Sequence, residues 1–286
     1  MIWLSRIVVM DVDESSVAPE PAAPLPTTAQ AIRFCRTCGE PWQPDWDSCP
    51  ACAERARSAQ PAVEASRTYE RDRKSIFSSV VLYFSLLAVS FVAVLIIAAT
   101  GRDDSAYVEI GAEVVMSVIT VIWCVRERQL ILPQLRPAGV RWYLLAPVLA
   151  VGTFLFAVTA IEGMHRLFGL EKLGYLDSFR KAHLGWFWII LSVCVQPGVI
   201  EELAFRGAIL SSLGRALSSR EAMFVSALMF GILHLSVPSM PHLFLIGVIL
   251  AWLRYRSGSL LPGMLMHFTH NLLVIVAEHH GRILPW

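Results

Sequence analysis

Three ionisable residues, Glu201, Glu202 and Arg206, stand in the stretch Val199-Ile-Glu-Glu-Leu-Ala-Phe-Arg206, inside an apolar run from Trp186 to Ile209. The run is long enough to cross a bilayer, where lipid offers these side chains no water. Each such group costs roughly a few kcal/mol at a helix centre, so ionisable residues there face a protein interior or a wet cavity and mark functional sites. On a helix, Glu202 and Arg206 are i and i+4, neighbours on one face with the glutamate on the favourable N-terminal side. That pair can neutralise itself. Glu201 points about 100° away and has no local cation. A carboxylate in that position is a candidate general base for water. Just upstream, Pro197 removes a backbone donor and Gly198 loosens packing, so a kink with free carbonyls in need of partners is expected.

Two further motifs follow. Phe230-Gly-Ile-Leu-His234 ends one apolar segment, and His267-Phe-Thr-His270-Asn271 lies in another. His267 and Asn271 are i and i+4 and can face one point, whereas His270 is one helical step from Asn271. Counting from each helix's cytosolic end at ~1.5 Å per residue, Glu201 is roughly 15 Å deep, His234 roughly 18–20 Å, His267 roughly 10 Å and Asn271 roughly 16 Å. One polar site between helices requires such a common layer. The bland alternative is a buried ion-pair cluster that holds helices together, with His234 bonded to a neighbouring carbonyl.

Glu-Glu-x-x-x-Arg, then Phe-x-x-x-His, then His-x-x-x-Asn, in that order on successive membrane segments, resembles the CAAX protease and bacteriocin-processing family, which includes the Ras-converting CAAX endopeptidases. The likeness covers roughly residues 142–277 and is matched at Glu201, Glu202, Arg206, Phe230, His234, His267 and Asn271. The resemblance implies an intramembrane glutamate endopeptidase. Glu201 with His234 would activate the attacking water. His267 and Asn271 would stabilise the oxyanion on the scissile carbonyl. Glu202 and Arg206 would be structural or would position substrate. No metal is expected at that site; the alternative is a metalloprotease, because a glutamate and two histidines can ligate zinc. The implied substrate is a peptide or membrane-associated protein, lipidated or not. A non-catalytic scaffold or immunity-type factor with the same fold is the alternative function. A transporter fits less well, since no inverted repeat is evident.

A separate cluster holds four of the six cysteines: Cys35-Arg-Thr-Cys38-Gly39 and Cys49-Pro-Ala-Cys52. Two such knuckles let four thiolates converge tetrahedrally on Zn²⁺, in a closed site that is structural rather than catalytic. A redox dithiol or a pair of disulfides is the alternative. Gly39 suits the tight turn of a knuckle. Trp42 and Trp46 lie between the pairs and can cover the site or a partner surface. A module this small depends on its metal to fold, and reduced thiols favour the cytosolic side. It reads as a docking module for a protein partner or as a plain tether. Cys124 and Cys194 read as buried apolar residues.

The surrounding chain must position these groups. It has 286 residues, 55% of them hydrophobic, and a mean hydropathy of +0.56. These values point to an all-α polytopic membrane protein with a small N-terminal zinc ribbon. The net charge of +1 gives no pull toward nucleic acid. Residues 1–30 read as a disordered segment rich in Pro, Ala, Ser and Thr, with Met10 as an alternative start and no signal peptide. Residues 31–56 read as the zinc ribbon, 57–75 as a charged, solvated connector compatible with a helix, and 76–286 as the membrane domain.

Seven spans are expected: Ile76–Thr100, Tyr107–Val125, Trp142–Ile161, Trp186–Leu210, Ala222–Leu235, His242–Trp252 (extending to Tyr255) and Leu260–Ala277. The fifth and sixth are short, which calls for local thinning or burial in protein. Glu109 and Glu113, and Glu162 with His165, are expected at interfacial or protein-facing positions. Trp142, Trp186, Trp188 and Trp252 fit an interfacial belt. Arg and Lys in the loops after spans two, four and six, and before span one, place the N-terminus and the zinc ribbon in the cytosol, with Arg166, Lys172, Arg180 and Lys181 dissenting. In a prokaryote this would be the plasma membrane.

Overall fold

The protein is described by a computed structural model over residues 33–42, 46–100, 105–168 and 175–280. Residues 1–30 and Met10, for which a disordered segment and an alternative start are expected, lie outside the described residues, as do parts of the loops at 101–104 and 169–174. The chain forms two compact units, Met1–Glu64 and Ala65–Trp286.

In the first unit, β1 (Arg33–Phe34) pairs antiparallel with β2 (Pro41–Trp42), Arg33 opposite Trp42 and Phe34 opposite Pro41. The intervening knuckle is closed by Cys35 N–H donating to Glu40 O and Gly39 N–H to Cys35 O, both at 2.8 Å. Gly39 has φ +77° with open space around it, so backbone conformation alone demands glycine there. The second cysteine pair sits at the start of helix α1 (Pro50–Thr100), whose first residue is a proline, where a missing N–H costs nothing. The charged connector is helical. Where described, its side chains are exposed apart from the half-buried Asp72 and Ser75, and they form surface ion pairs such as Glu70–Arg73 at 3.0 Å.

The second unit is all helix. After α1 come α2 (Ser105–Arg126), the single turn α3 (Arg128–Ile131), α4 (Val140–Phe168), α5 (Tyr175–Lys181), α6 (Trp186–Leu213), α7 (Ser219–Leu233), α8 (Met240–Ser257) and α9 (Leu261–His279). Seven of these follow the seven expected spans in order. Among the described residues, four helices are long and apolar enough to cross a membrane: α1, α2, α4 and α6. The count of seven crossings is therefore not matched by length. Helix α7 has only 15 residues, against the roughly 20 that span a hydrocarbon core. Helix α7 buries one face, with Ala227, Phe230 and Leu233, and leaves Phe224, Val225, Leu228 and Ile232 exposed.

Helix α8 packs against both α7 and α4, and α9 against α4 and α6. A Cβ on Gly247 of α8 would lie 2.9 Å from the Cα and Cβ of Ala227 on α7, so only glycine allows that backbone approach. Helix α1 docks on the end of α6 through hydroxyls: Ser79 Oγ donates to Ser212 Oγ at 2.7 Å, and Ser75 Oγ is 3.0 Å from the same oxygen. Buried Gln134, just after α3, donates to Leu130 O and Gly207 O and accepts from Arg254 Nε. It ties α6 to α8.

Helix α6 carries the main departure from expectation. In place of a kink at Pro197, two π-helical segments, Ile190–Val195 and Pro197–Ile209, widen the helix. Here N–H groups reach five residues back: Gln196 to Leu191 O, and Leu210 to Phe205 O. A proline cannot donate to the carbonyl four residues before it. Widening lets the helix continue past that gap, and π-helical turns of this kind recur at functional sites.

Candidate active site

The centre of the site is an ion pair with nothing left exposed. Arg206 Nη1 donates to Glu202 Oε1 at 2.9 Å, and each side chain is 1% exposed. Arg206 Nη2 donates to Gly247 O at 3.3 Å. The guanidinium carbon lies 4.4 Å from the centroid of the Phe230 ring, a cation–π contact. This explains the Phe-x-x-x-His motif from within: its phenylalanine covers the buried arginine. Gly263 leaves room for this carboxylate: a Cβ there would come within 3.1 Å of Glu202 Oε2, which would have to give way.

His267 on α9 joins the cluster between the two glutamates. Its Nδ1 is 3.1 Å from Glu202 Oε1, and its Nε2 is 3.9 Å from Glu201 Oε2. The ring sits edge-on to Phe230 at 5.9 Å between centroids. A carboxylate only accepts, so Nδ1–H donates to Glu202. Nε2 is then the nitrogen turned toward Glu201.

Glu201 is in a different condition from its neighbour. Its Oε2 is buried without a hydrogen-bond partner. The residue lines a small cavity of about 10 Å³ together with Leu86, Met116, Thr120, Gln196 and Leu233. Sequence reading missed Thr120 and Gln196. A threonine in an apolar helix sends no signal, whereas Gln196, a polar residue directly before Pro197 in an apolar run, could have been noticed.

Asn271 answers the free carbonyl expected near Pro197. Val193 is the residue whose carbonyl Pro197 cannot reach, and Asn271 Nδ2 donates to Val193 O at 2.7 Å. His270 turns away from the glutamates to Thr153 Oγ1 on α4, at 3.0 Å. His234 is the C-cap of α7 rather than an interior residue, and it is exposed. Its Nδ1 lies 2.9 Å from Phe230 O, and the next residue, Leu235, has φ +51°. Of the expected set, the fold thus brings Glu201, Glu202, Arg206 and His267 into contact. Asn271 braces the helix that carries the glutamates, and His234 caps the helix whose Phe230 covers Arg206.

Residues 183–273 match the family model for type II CAAX prenyl endopeptidases, Rce1-like. The Rce1-like segment contains every residue of the cluster, from Glu201 to Asn271, and leaves out α1 to α5 and the four clustered cysteines. No curated protein and no solved structure matches the chain.

The cysteine cluster is a second candidate site. The four Sγ atoms of Cys35, Cys38, Cys49 and Cys52 all lie within 4.8 Å of one another. Cys35 and Cys52 are 3.8 Å apart, and Cys38 and Cys49 are 3.5 Å apart. A tetrahedron with Zn–S bonds of about 2.3 Å has edges of roughly 3.8 Å, so the donors fit Zn²⁺. They are far beyond the roughly 2.04 Å of a disulfide, and all four are free thiols. Backbone hydrogen bonds from Thr37 and Cys38 hold the Cys35 thiol down at about 6, while hydrogen bonding to Cys38 and desolvation push Cys52 up to about 12. One thiolate is thus preset, and a bound cation would favour ionisation of the others.

Proposed function

We propose that this protein is a CAAX-type intramembrane endopeptidase that hydrolyses a peptide bond of a membrane-associated protein. The observation that carries the reading is Glu201: a carboxylate oxygen without a partner, facing a cavity, beside His267, inside the Rce1-like segment. Glu201, aided by His234, takes a proton from water as its oxygen adds to the scissile carbonyl. That proton passes to the leaving amine as the C–N bond breaks. His267 and Asn271 stabilise the oxyanion. With Nδ1–H committed to Glu202, the Nε2 of His267 donates to an oxyanion only as imidazolium. Glu202 and Arg206 support the site by fixing that ring. The second hydrogen on Asn271 Nδ2 is available once Val193 O is served.

The chemistry requires no metal at this site, the N-terminal unit lies in the cytosol, and its cysteines hold a structural zinc. The partners are lipid, a peptide or protein substrate with or without a prenyl group, and a protein that docks on the zinc ribbon. The test is turnover of quenched peptides, prenylated and not, by full-length protein in liposomes. Wild type cleaves, E201Q and H267A fold but do not, and activity survives chelation. Loss to a chelator with the zinc ribbon intact would replace this mechanism with a metalloprotease. Full biological function in cells carrying E201Q would remove the enzyme reading.

A further inference from the structure

Among the described residues, hydroxyls in the membrane helices commonly bond back within their own helix or reach a neighbouring one, as Ser79 reaches Ser212. Ser85, Thr100, Ser117, Thr153, Thr159 and Thr269 all donate back to the carbonyl four residues before them. This is the ordinary way to satisfy such a group in an apolar helix. Thr120 on α2 does neither. It is 0% exposed, and its Oγ1 has no partner. A buried hydroxyl left without a hydrogen bond is costly. Thr120 lines the same cavity as Glu201, whose Oε2 is likewise buried and unpartnered. Gln196, on the cavity wall between α2 and α6, directs its amide nitrogen to Ser117 Oγ at 3.2 Å and Glu113 O at 3.4 Å. It thereby fastens α2 to α6 one turn from Thr120. The remaining lining is apolar: Leu86, Met116, Ile200, Ala204, Phe205 and Leu233.

We infer that this cavity is the seat of one ordered water, held between the Thr120 hydroxyl and the Glu201 carboxylate, and that this is the water Glu201 activates. The two orphaned groups are complementary. Glu201 Oε2 needs a donor, and the Thr120 O–H needs an acceptor. A single water supplies both, and a buried water needs two to four such partners in an otherwise confined space. The second role, activation, rests on the endopeptidase reading; the water seat itself does not.

Infrared spectroscopy of the full-length protein in liposomes, wild type minus E201Q, isolates the Glu201 carboxyl band. T120V removes the hydroxyl and keeps the shape; T120S keeps the hydroxyl. The expected result is a Glu201 band displaced in T120V and returned to the wild-type position in T120S. On a cleaved peptide, T120V lowers kcat by roughly tenfold or more with KM nearly unchanged, and T120S recovers it. An unmoved band in T120V overturns the water seat. A displaced band with unchanged kcat keeps the seat and overturns its part in hydrolysis. A displaced band in a protein that cleaves no peptide keeps the seat and removes the endopeptidase reading. Should T120V fail to fold, T120A gives the same readout.

Discussion

The cysteine cluster and the carboxylate cluster are both knots of ionisable groups, and they close in opposite ways. The four cysteines are equals, drawn from residues 35–52 by two turns and a helix start. Among the described residues no lysine or arginine is paired with the four thiols, and their spacing suits an added cation. The membrane cluster joins side chains 65 positions apart, His267 and Glu202, and brings its own cation in Arg206. It closes on itself and leaves one member, Glu201, outside. A ligand set made of equals points to structure. A set that neutralises one carboxylate and strands its neighbour points to chemistry.

The sharpest way to break this contrast is to remove the internal cation. Arg206→Leu leaves Glu202 buried without its guanidinium, and the expected loss is about 3–5 kcal/mol of stability, read as thermal unfolding in detergent. Glu201→Gln, by contrast, leaves the melting temperature close to wild type. Equal losses in the two variants would erase the distinction between the neighbours. Next in size is the zinc module. Cys49→Ser is expected to abolish bound zinc, measured by elemental analysis, and to expose residues 33–64 to proteolysis while the membrane unit keeps its melting temperature.

A smaller effect tests the brace. Asn271→Ala leaves Val193 O without a partner and costs about 1–3 kcal/mol, visible as faster hydrogen exchange around Pro197. The smallest lies at the start of α7, where Ser218 and Glu221 form a reciprocal capping box. Hydrogen bonds from Ser218 hold the Glu221 carboxyl below its usual range. A depressed folded-state pKa means the contribution is present above the unfolded value and lost as pH falls through the folded one. Wild type should therefore exceed Glu221→Gln in stability at neutral pH, with the difference vanishing in acid.

The chain announces these regions unevenly. The cysteine ligands are legible because their spacing is local: two residues between partners is itself the geometry of a knuckle. The apolar runs foretell the helices in order. Glu202 and Arg206 advertise their pairing, because four residues apart on a helix is already contact. Pro197 foretells a needy carbonyl but not its remedy, since the π-helical widening and Asn271 both depend on α9 packing alongside. The end of α7 at Leu233 falls within two residues of the expected end at Leu235, but nothing in Phe230-Gly-Ile-Leu-His234-Leu235 marks His234 as the cap. Thr120 is silent altogether. Its importance arises from what it fails to bond, and that is a property of the assembled helices.

The bond from Asn271 to Val193 O has a consequence for how the protein is made. Helix α6 emerges from the ribosome well before α9, with a carbonyl that its own proline has stranded and a glutamate, Glu202, that still waits for His267. Until residues 261–279 arrive, the growing chain holds a membrane helix whose polar groups are unanswered. Such an intermediate is costly in lipid, and it is a natural client for insertion chaperones and membrane quality control. Glu201 and Glu202 thus enter the bilayer before α9 exists, and a chain interrupted before α9 keeps Glu202 without His267.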